Sequence, residues 1–73
     1  MMMESTDVKV KLNSVEQVRL FVETMRKYDG DVDVYSTNQN YLVDGKSILG
    51  VFSLGLDKEL TVKFYNGTTE SFI

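Results

Sequence analysis

Apolar residues in this chain recur at every second position in some stretches and at every third or fourth in another, and the order of these spacings limits the possible folds. Residues 8–12 and 60–64 alternate apolar with polar side chains, which predicts strands with one buried face. Residues 31–35 alternate in the same way, and residues 41–43 form a short β-prone run after a polar turn. The spacing within residues 15–28 predicts a helix of about four turns.

Both predicted helices begin next to a serine. Ser14 precedes the long helix, Gln17 completes a capping-box pattern three residues later, and Gly30 stops the helix. Ser47 begins a short helix that runs to about residue 54, where Gly55 ends it. The order strand, helix, strand, strand, helix, strand predicts a two-layer α+β domain with its helices on one face of a small sheet. The spacing alone leaves several strand orders open.

Length and composition predict a single domain over residues 1–73 that is stabilised by apolar packing, because the chain contains no cysteine. A net charge of −3 and an isoelectric point near 4.7 argue against nucleic acid as a partner. No apolar run approaches the ~20 residues of a membrane span, and no signal peptide is evident. We therefore expect a cytoplasmic protein, with residues 1–6 as a disordered tail and residues 66–73 as a short C-terminal remnant.

No arrangement of residues indicates an enzyme, a metal site or a cofactor. The alternating run of Asp29, Asp31 and Asp33 is similar to the start of a calcium-binding loop, but the rest of the loop pattern is missing. Such a loop would need a glycine and a glutamate where Val34 and Asn40 stand. We therefore predict no catalytic residue, no metal and no cofactor, and we place Asp31 and Asp33 on the solvent face of a strand.

The most specific stretch of the chain is residues 46–55, Lys-Ser-Ile-Leu-Gly-Val-Phe-Ser-Leu-Gly. It resembles the second-helix signature of HPr, the small phosphocarrier of the bacterial sugar phosphotransferase system. Residues 22–32 are similar to the end of the first helix and the entry to the second strand of that family. The resemblance implies an HPr-like open-faced sandwich, with a four-stranded antiparallel sheet in the order 1-4-2-3 and two helices on one face. It also implies that the long C-terminal helix of the family is truncated or missing here.

The phosphoryl relay of HPr proteins runs through a histidine in a Gly-x-His-Ala-Arg-Pro loop, and this chain contains no histidine. The aligned residues 12–17 read Leu-Asn-Ser-Val-Glu-Gln, so the resemblance places Ser14 at the histidine position and Glu16 at the arginine position. A serine ester does not hand its phosphate on as a phosphoramidate does, and a glutamate repels phosphate. We expect a chain that is not competent as a histidine phosphocarrier, and we rank an active phosphocarrier last.

The second chemistry of the family is regulatory, because a dedicated kinase in Gram-positive bacteria phosphorylates the serine at the start of the short helix. The matching residue is Ser47, where a phosphate would meet exposed backbone N–H groups. The resemblance implies a partner-binding surface beside it, formed by Lys46, Ile48, Leu49 and Phe52. A lost histidine with a kept serine is similar in logic to Crh, a catabolite-repression paralogue of HPr, although Crh keeps the arginine that Glu16 replaces here.

Two interpretations of Ser47 stay open. In the first, Ser47 is a regulatory phosphorylation site; in the second, it is only a helix N-cap, and the chain is an HPr-like interaction module without phosphorylation. Phe52 could likewise belong to a partner surface or to an ordinary packing shell. Both interpretations imply a protein partner, such as a serine kinase, a transcriptional regulator or a phosphotransferase component.

A missing C-terminal helix predicts that part of the sheet is uncovered. The residues expected to be partly bare are Val10, Val34, Val62 and Phe64. A bare apolar patch favours self-association or a partner, so we expect a homodimer or heteromer that supplies the missing layer. The alternative is that Phe72 and Ile73 fold back over the sheet.

Overall fold

The computed structural model describes residues 6–39 and 41–65, and its elements follow the predicted order. They are β1 (Thr6–Lys11), α1 (Val15–Met25), β2 (Asp31–Ser36), β3 (Leu42–Asp44), α2 (Ile48–Ser53) and β4 (Glu59–Tyr65). The predicted tail and C-terminal remnant lie outside the described residues, except for Thr6, which begins β1. Neither helix in these segments is long and apolar enough to cross a membrane.

The four strands form one antiparallel sheet in the order β1-β4-β2-β3. The register places Val62 of β4 opposite both Val8 of β1 and Val34 of β2, and Val34 in turn lies opposite Val43 of β3. Directly opposite residues of antiparallel strands point to the same face, so these four valines share one face of the sheet. The predicted α+β class and strand order are confirmed, and within the described residues β1 and β3 lie at the edges of the sheet.

One hydrophobic core lies between this face and the helices. Its buried members come from both helices, the two central strands and the connecting segments: Leu12, Val18, Val22, Met25, Tyr28, Val32, Val34, Val51, Leu54, Leu60 and Val62. The prediction that Val34 and Val62 are partly bare is wrong, because they are 0% and 1% exposed. Both belong to central strands, which lie beneath the two helices.

The cover is incomplete toward the edge strand β1. Val10 and Phe64 are only partly buried, as predicted. Val8 was predicted to lie on the buried face of its strand, but its side chain is 42% exposed. An uncovered apolar strip therefore remains on β1, and it is smaller than the sequence predicted.

Helix α1 ends earlier than its apolar spacing indicates. The α-helix stops at Met25, and the N–H groups of Lys27 and Tyr28 donate to carbonyls three residues earlier, at 3.1 Å each. This tighter turn keeps Tyr28 buried, with its ring and that of Phe64 in a T-shaped arrangement at a centroid distance of 5.2 Å. At the other end of α1, Val15 is 57% exposed although it fits the predicted apolar stripe.

Two glycines place helix α2 against the sheet. The N–H of Gly45 donates to the carbonyl of Val32 at 2.8 Å, and a Cβ on Gly45 would stand inside van der Waals contact with the Val32 side chain. This close approach brings the chain from β3 onto the helix-bearing face. Gly55 ends α2 with φ at +98°, a left-handed conformation that glycine adopts without strain.

Candidate functional site

Ser47 is the N-cap of α2, as predicted. Its backbone is extended, with φ −108° and ψ 116°, and its Oγ accepts the N–H of Gly50 at 3.1 Å. Its carbonyl accepts the first intrahelical bond, from the N–H of Val51 at 3.0 Å. The residue is half-buried. Ser47 therefore has a structural role that is visible in its contacts, and its predicted phosphorylation stays a prediction.

Helix α2 divides its apolar side chains between the core and the solvent. Val51 and Leu54 are 1% and 5% exposed and pack in the core. The outward-facing apolar residues form what we call the α2 patch, which consists of Ile48, Leu49 and Phe52, at 36%, 78% and 44% exposure. Positions separated by three or four residues are neighbours on a helix, so the side chains of residues 48, 49 and 52 form a contiguous surface. Phe52 is not part of a buried packing shell, because 44% of it is exposed, and its place in a partner surface stays a prediction.

Lys46 makes a second connection, to the end of α1. Its Nζ donates to the carbonyl of Tyr28 at 2.7 Å, while its own carbonyl accepts from Nε of Arg26 at 3.0 Å. These reciprocal bonds, which we call the helix brace, tie the chain segment after α1 to the residue just before Ser47. Asp44 adds a local bond, since its Oδ1 accepts the N–H of Lys46 at 2.9 Å. The ammonium of Lys46 is therefore directed toward the end of α1.

Arg26 had no place among the predicted site residues. Sequence shows only a basic residue near the end of a helix, which is a common position for an exposed cation. Its bond to Lys46 joins residues twenty positions apart, so only the tertiary structure reveals it. Arg26 places a guanidinium group next to the peptide unit that precedes Ser47.

Ser14 is the N-cap of α1. Its Oγ accepts the N–H of Gln17 at 3.2 Å, as the capping-box pattern predicts. In a capping box the Gln17 side chain would accept the N–H of Ser14 itself. Here Oε1 of Gln17 accepts the N–H of the preceding residue, Asn13, at 2.7 Å. The Ser14 hydroxyl is therefore engaged in helix capping.

Glu16 belongs to an exposed ion-pair network on α1. Arg19 donates from Nε to Oε1 of Glu16 at 3.3 Å, forms a second bond to Oε2 of the same carboxylate, and donates from Nη1 to Glu23 at 2.8 Å. The hydrogen bond with Arg19 and then its positive charge lower the pKa of Glu16, and the same pairing raises the pKa of Arg19. The carboxylate of Glu16 therefore stays ionised near neutral pH.

The described segments contain no cluster of three or more histidine, cysteine, aspartate or glutamate side chains arranged to hold a metal ion. A surface groove of about 430 Å³ beside β3 is lined in part by Asp31, Asp33 and Asp44, and Lys46 lines the same groove. Asp31 is exposed and Asp33 half-buried on the side of the sheet that carries no helix, which agrees with the predicted solvent face.

Comparison with known families decides the relationship. The model of the PTS-HPr family, described as the PTS HPr component phosphorylation site, matches residues 7–70. This chain belongs to the HPr family. Members of the HPr family are phosphocarriers rather than enzymes and interact with other phosphotransferase-system proteins. The resemblance seen in residues 22–32 and 46–55 is thereby confirmed.

Solved structures of HPr proteins share the fold. A phosphocarrier protein HPr from Bacillus anthracis str. Ames superposes with a TM-score of 0.69 at 20% identity, over 93% of this chain and 87% of that chain. HPr-C-His from Thermoanaerobacter tengcongensis superposes with a TM-score of 0.68 at 23% identity, over 96% of this chain and 86% of that chain. A search of curated proteins gives no match. The superpositions support the fold. Because the sequence identities are low, the function has to be argued from the residues of the site.

Proposed function

We propose that this HPr-family chain is a cytoplasmic regulatory protein that does not relay phosphoryl groups and whose protein binding is controlled by phosphorylation of Ser47. The observation that carries the proposal is the position of Ser47 directly beside the exposed α2 patch. A partner that covers the patch would contact the start of α2 as well. A change of charge at Ser47 therefore alters the surface that the partner recognises.

The absence of histidine from the chain supports the loss of the relay. If Ser14 stands at the position of the family's histidine, its hydroxyl is engaged as a helix cap, and Glu16 lies two residues further on. Glu16 and Glu23 share one cation, Arg19, so this network carries a net negative charge at neutral pH, which opposes an approaching phosphate. A phosphate ester on Ser14 would also be too stable to pass onward. We also place the chain outside the enzymes, because members of the HPr family are phosphocarriers rather than enzymes.

The surroundings of Ser47 support phosphorylation there. The kinase reaction would join the Ser47 oxygen to the γ-phosphorus of ATP, with release of the hydroxyl proton and of ADP as leaving group. The product carries roughly −1.5 to −2 charges at neutral pH. Arg26, at the end of α1, donates to the carbonyl of Lys46, and Lys46 donates to the carbonyl of Tyr28, so both residues lie near the peptide unit that precedes Ser47. We propose that the guanidinium of Arg26, which lies next to the peptide unit before Ser47, neutralises part of the new charge.

The α2 patch indicates the kind of partner. Ile48, Leu49 and Phe52 offer apolar surface, with the half-buried Lys46 at its border. Such a patch fits an apolar pocket on another protein, and an aromatic side chain often supplies much of the binding energy at such contacts. We propose a serine kinase, a transcriptional regulator or a phosphotransferase component as partner, and neither nucleic acid nor membrane.

The proposal is tested by incubating the protein with an HPr serine kinase and ATP, followed by peptide mass spectrometry. We expect one phosphate, on Ser47, in the wild-type chain. Ser47→Ala should take up none, whereas Ser53→Ala should behave as wild type. Absence of phosphate on Ser47 would remove the regulatory part of the proposal and leave the interaction module.

The second candidate is an HPr-like interaction module without phosphorylation. It is favoured by the cap bond between Ser47 and Gly50, which accounts for a serine at this position without any kinase. This candidate predicts that Ser47→Ala leaves partner binding unchanged and that treatment of the wild-type chain with kinase and ATP does not alter binding. The regulatory proposal predicts that the same treatment changes binding of the wild-type chain and not of Ser47→Ala. An active phosphocarrier is the least favoured function, and it requires phosphate transfer from phosphoenolpyruvate through Enzyme I to this chain.

We also propose a homodimer, but on a different surface from the one that the sequence predicted. The burial of Val34 and Val62 removes most of the uncovered layer that motivated it. Val8 on β1 keeps an exposed apolar side chain, so any dimer is better sought at this edge than over the sheet.

A further inference from the structure

Strand β1 is an edge of the sheet, and its outer side has the geometry that a further strand needs. In the described part of the chain, β1 is hydrogen-bonded to β4 alone. Its register with β4 continues without a bulge from Thr6 opposite Phe64 to Lys11 opposite Glu59. The chain has no proline that would block pairing. An edge strand of this kind presents a row of backbone N–H and C=O groups outward.

Val8 is the apolar residue of β1 that the helices leave uncovered. It lies opposite Val62 and on the same face, yet it is 42% exposed while Val62 is 1% exposed. Val10, two residues further along, is partly buried. The exposed apolar surface of the strand is therefore centred on Val8, and a neighbour that covers it gains the free energy of removing this surface from water.

The charged residues of β1 lie on its other face, and Asp7 faces an opposite charge on the neighbouring strand. Asp7 lies opposite Lys63 of β4, which in turn lies opposite Asp33 of β2. A second β1 strand in antiparallel orientation, with Val8 opposite Val8, would set Asp7 of each copy opposite Lys9 of the other. Opposite charges directly across an antiparallel pair stabilise it, and like charges destabilise it.

Neighbouring registers lack this complementarity. If the two-fold axis that relates the two strands passed through Asp7 or Lys9, two identical charges would lie opposite each other. If it passed through Val10, Lys9 of each copy would lie opposite Lys11 of the other. The present partner of Lys9 is weak, because its Nζ lies 3.9 Å from the Glu59 carboxylate and both side chains are more than half exposed. The other edge strand, β3, has only three residues.

We propose that the partner of this edge is a second copy of the chain, paired antiparallel through β1 about a two-fold axis at Val8. The two four-stranded sheets would join into one continuous sheet, with the helices of both copies on the same face. This arrangement specifies the interface of the proposed homodimer and does not depend on the phosphorylation of Ser47.

Cysteine cross-linking tests the axis directly, because the chain has no cysteine of its own. In the proposed dimer, two Val8→Cys thiols would face each other on side chains whose Cβ atoms are about 4.5–5.5 Å apart. Two Lys11→Cys thiols would lie about 20 Å apart, six residues along the strands. We expect a short bifunctional thiol cross-linker to produce a covalent dimer from Val8→Cys and to leave Lys11→Cys monomeric. No dimer from Val8→Cys, or equal dimer from both variants, would overturn the proposal.

Charge reversal tests the register. Asp7→Lys and Lys9→Asp each turn two attractive pairs of the dimer into two repulsive ones, which should weaken association roughly tenfold to a hundredfold in sedimentation equilibrium. The double variant Asp7→Lys/Lys9→Asp should regain most of the wild-type association. Lys27→Glu, an equal charge change outside β1, should leave it unchanged, and circular dichroism checks that each variant is folded. A wild-type monomer at the highest soluble concentration, or a double variant as weak as the single variants, would overturn the proposal.

Discussion

Replacement of Ser47 separates its structural role from its proposed regulatory role. The Oγ of Ser47 accepts the N–H of Gly50 at 3.1 Å, and α2 is only six residues long. Ser47→Ala leaves this N–H without its side-chain partner. Ser47→Asp keeps an acceptor at the cap, and Ser47→Gly leaves room for water to bind the N–H group. All three variants lack the hydroxyl that a kinase requires.

The expected losses follow from the energetics of helix caps. Alanine at an N-cap costs about 1 kcal/mol, within a range of roughly 0.5–2, whereas glycine costs a few tenths. In a domain of this size, ~1 kcal/mol changes the melting temperature by about 4–8 °C. We therefore expect Ser47→Ala to melt about 4–8 °C below wild type and Ser47→Gly about 1–3 °C below it. Ser47→Asp should melt close to wild type.

Thermal unfolding followed by far-ultraviolet circular dichroism provides the measurement, with urea unfolding to confirm the change in free energy. Ser53→Ala is the matched control, since Ser53 is exposed at the other end of the same helix. Its effect should stay within about 0.5 kcal/mol. A Ser47→Ala protein that melts with the wild type, or a Ser47→Gly protein that melts below Ser47→Ala, would refute the assignment of Ser47 as a stabilising cap.

Three further perturbations test other parts of the structure. Arg26→Met removes one bond of the helix brace and should lower the free energy of unfolding in urea by about 0.5–1.5 kcal/mol, whereas the exposed control Lys27→Met should change it by less than about 0.5 kcal/mol. Gly45→Ala places a methyl group inside van der Waals contact with the Val32 side chain and 3.1 Å from that of Val34, and overpacking of this kind should cost about 1–3 kcal/mol in the same assay. The pKa of Glu16 is lowered in the folded state, so its contribution to stability is present above its ordinary value of 4.5 and is lost as the pH falls through the folded-state pKa. The difference in melting temperature between wild type and Glu16→Gln should therefore be small at neutral pH and should vanish in acid.

Local chemistry explains which features were predictable from the sequence. Ser14 and Ser47 both cap helices where they were predicted to, because an N-cap depends on a few neighbouring residues. The order of elements followed from the alternation of the two apolar spacings. The strand order did not follow from these spacings, because alternation shows which face of a strand is buried and not which strand lies beside it. The strand order was predicted from the resemblance of residues 46–55 to HPr proteins.

Features that depend on tertiary packing were predicted less well. Val34 and Val62 are buried because the helices extend over the central strands, and no sequence spacing shows how far that cover reaches. Tyr28 continues the apolar spacing of α1 although the α-helix has already ended at Met25, since a tighter turn also places it in the core. The contact of Arg26 with the start of α2 has no signature in the sequence.

We propose that Ser47 is the phosphate acceptor of this chain and that the chain does not pass phosphoryl groups on to other proteins. The most direct measurement is peptide mass spectrometry of the protein after parallel reactions, one with an HPr serine kinase and ATP and one with Enzyme I and phosphoenolpyruvate. We predict phosphate on Ser47 in the first reaction and none on any residue in the second. Phosphate acquired from phosphoenolpyruvate, or a kinase reaction that leaves Ser47 unmodified, would contradict the claim.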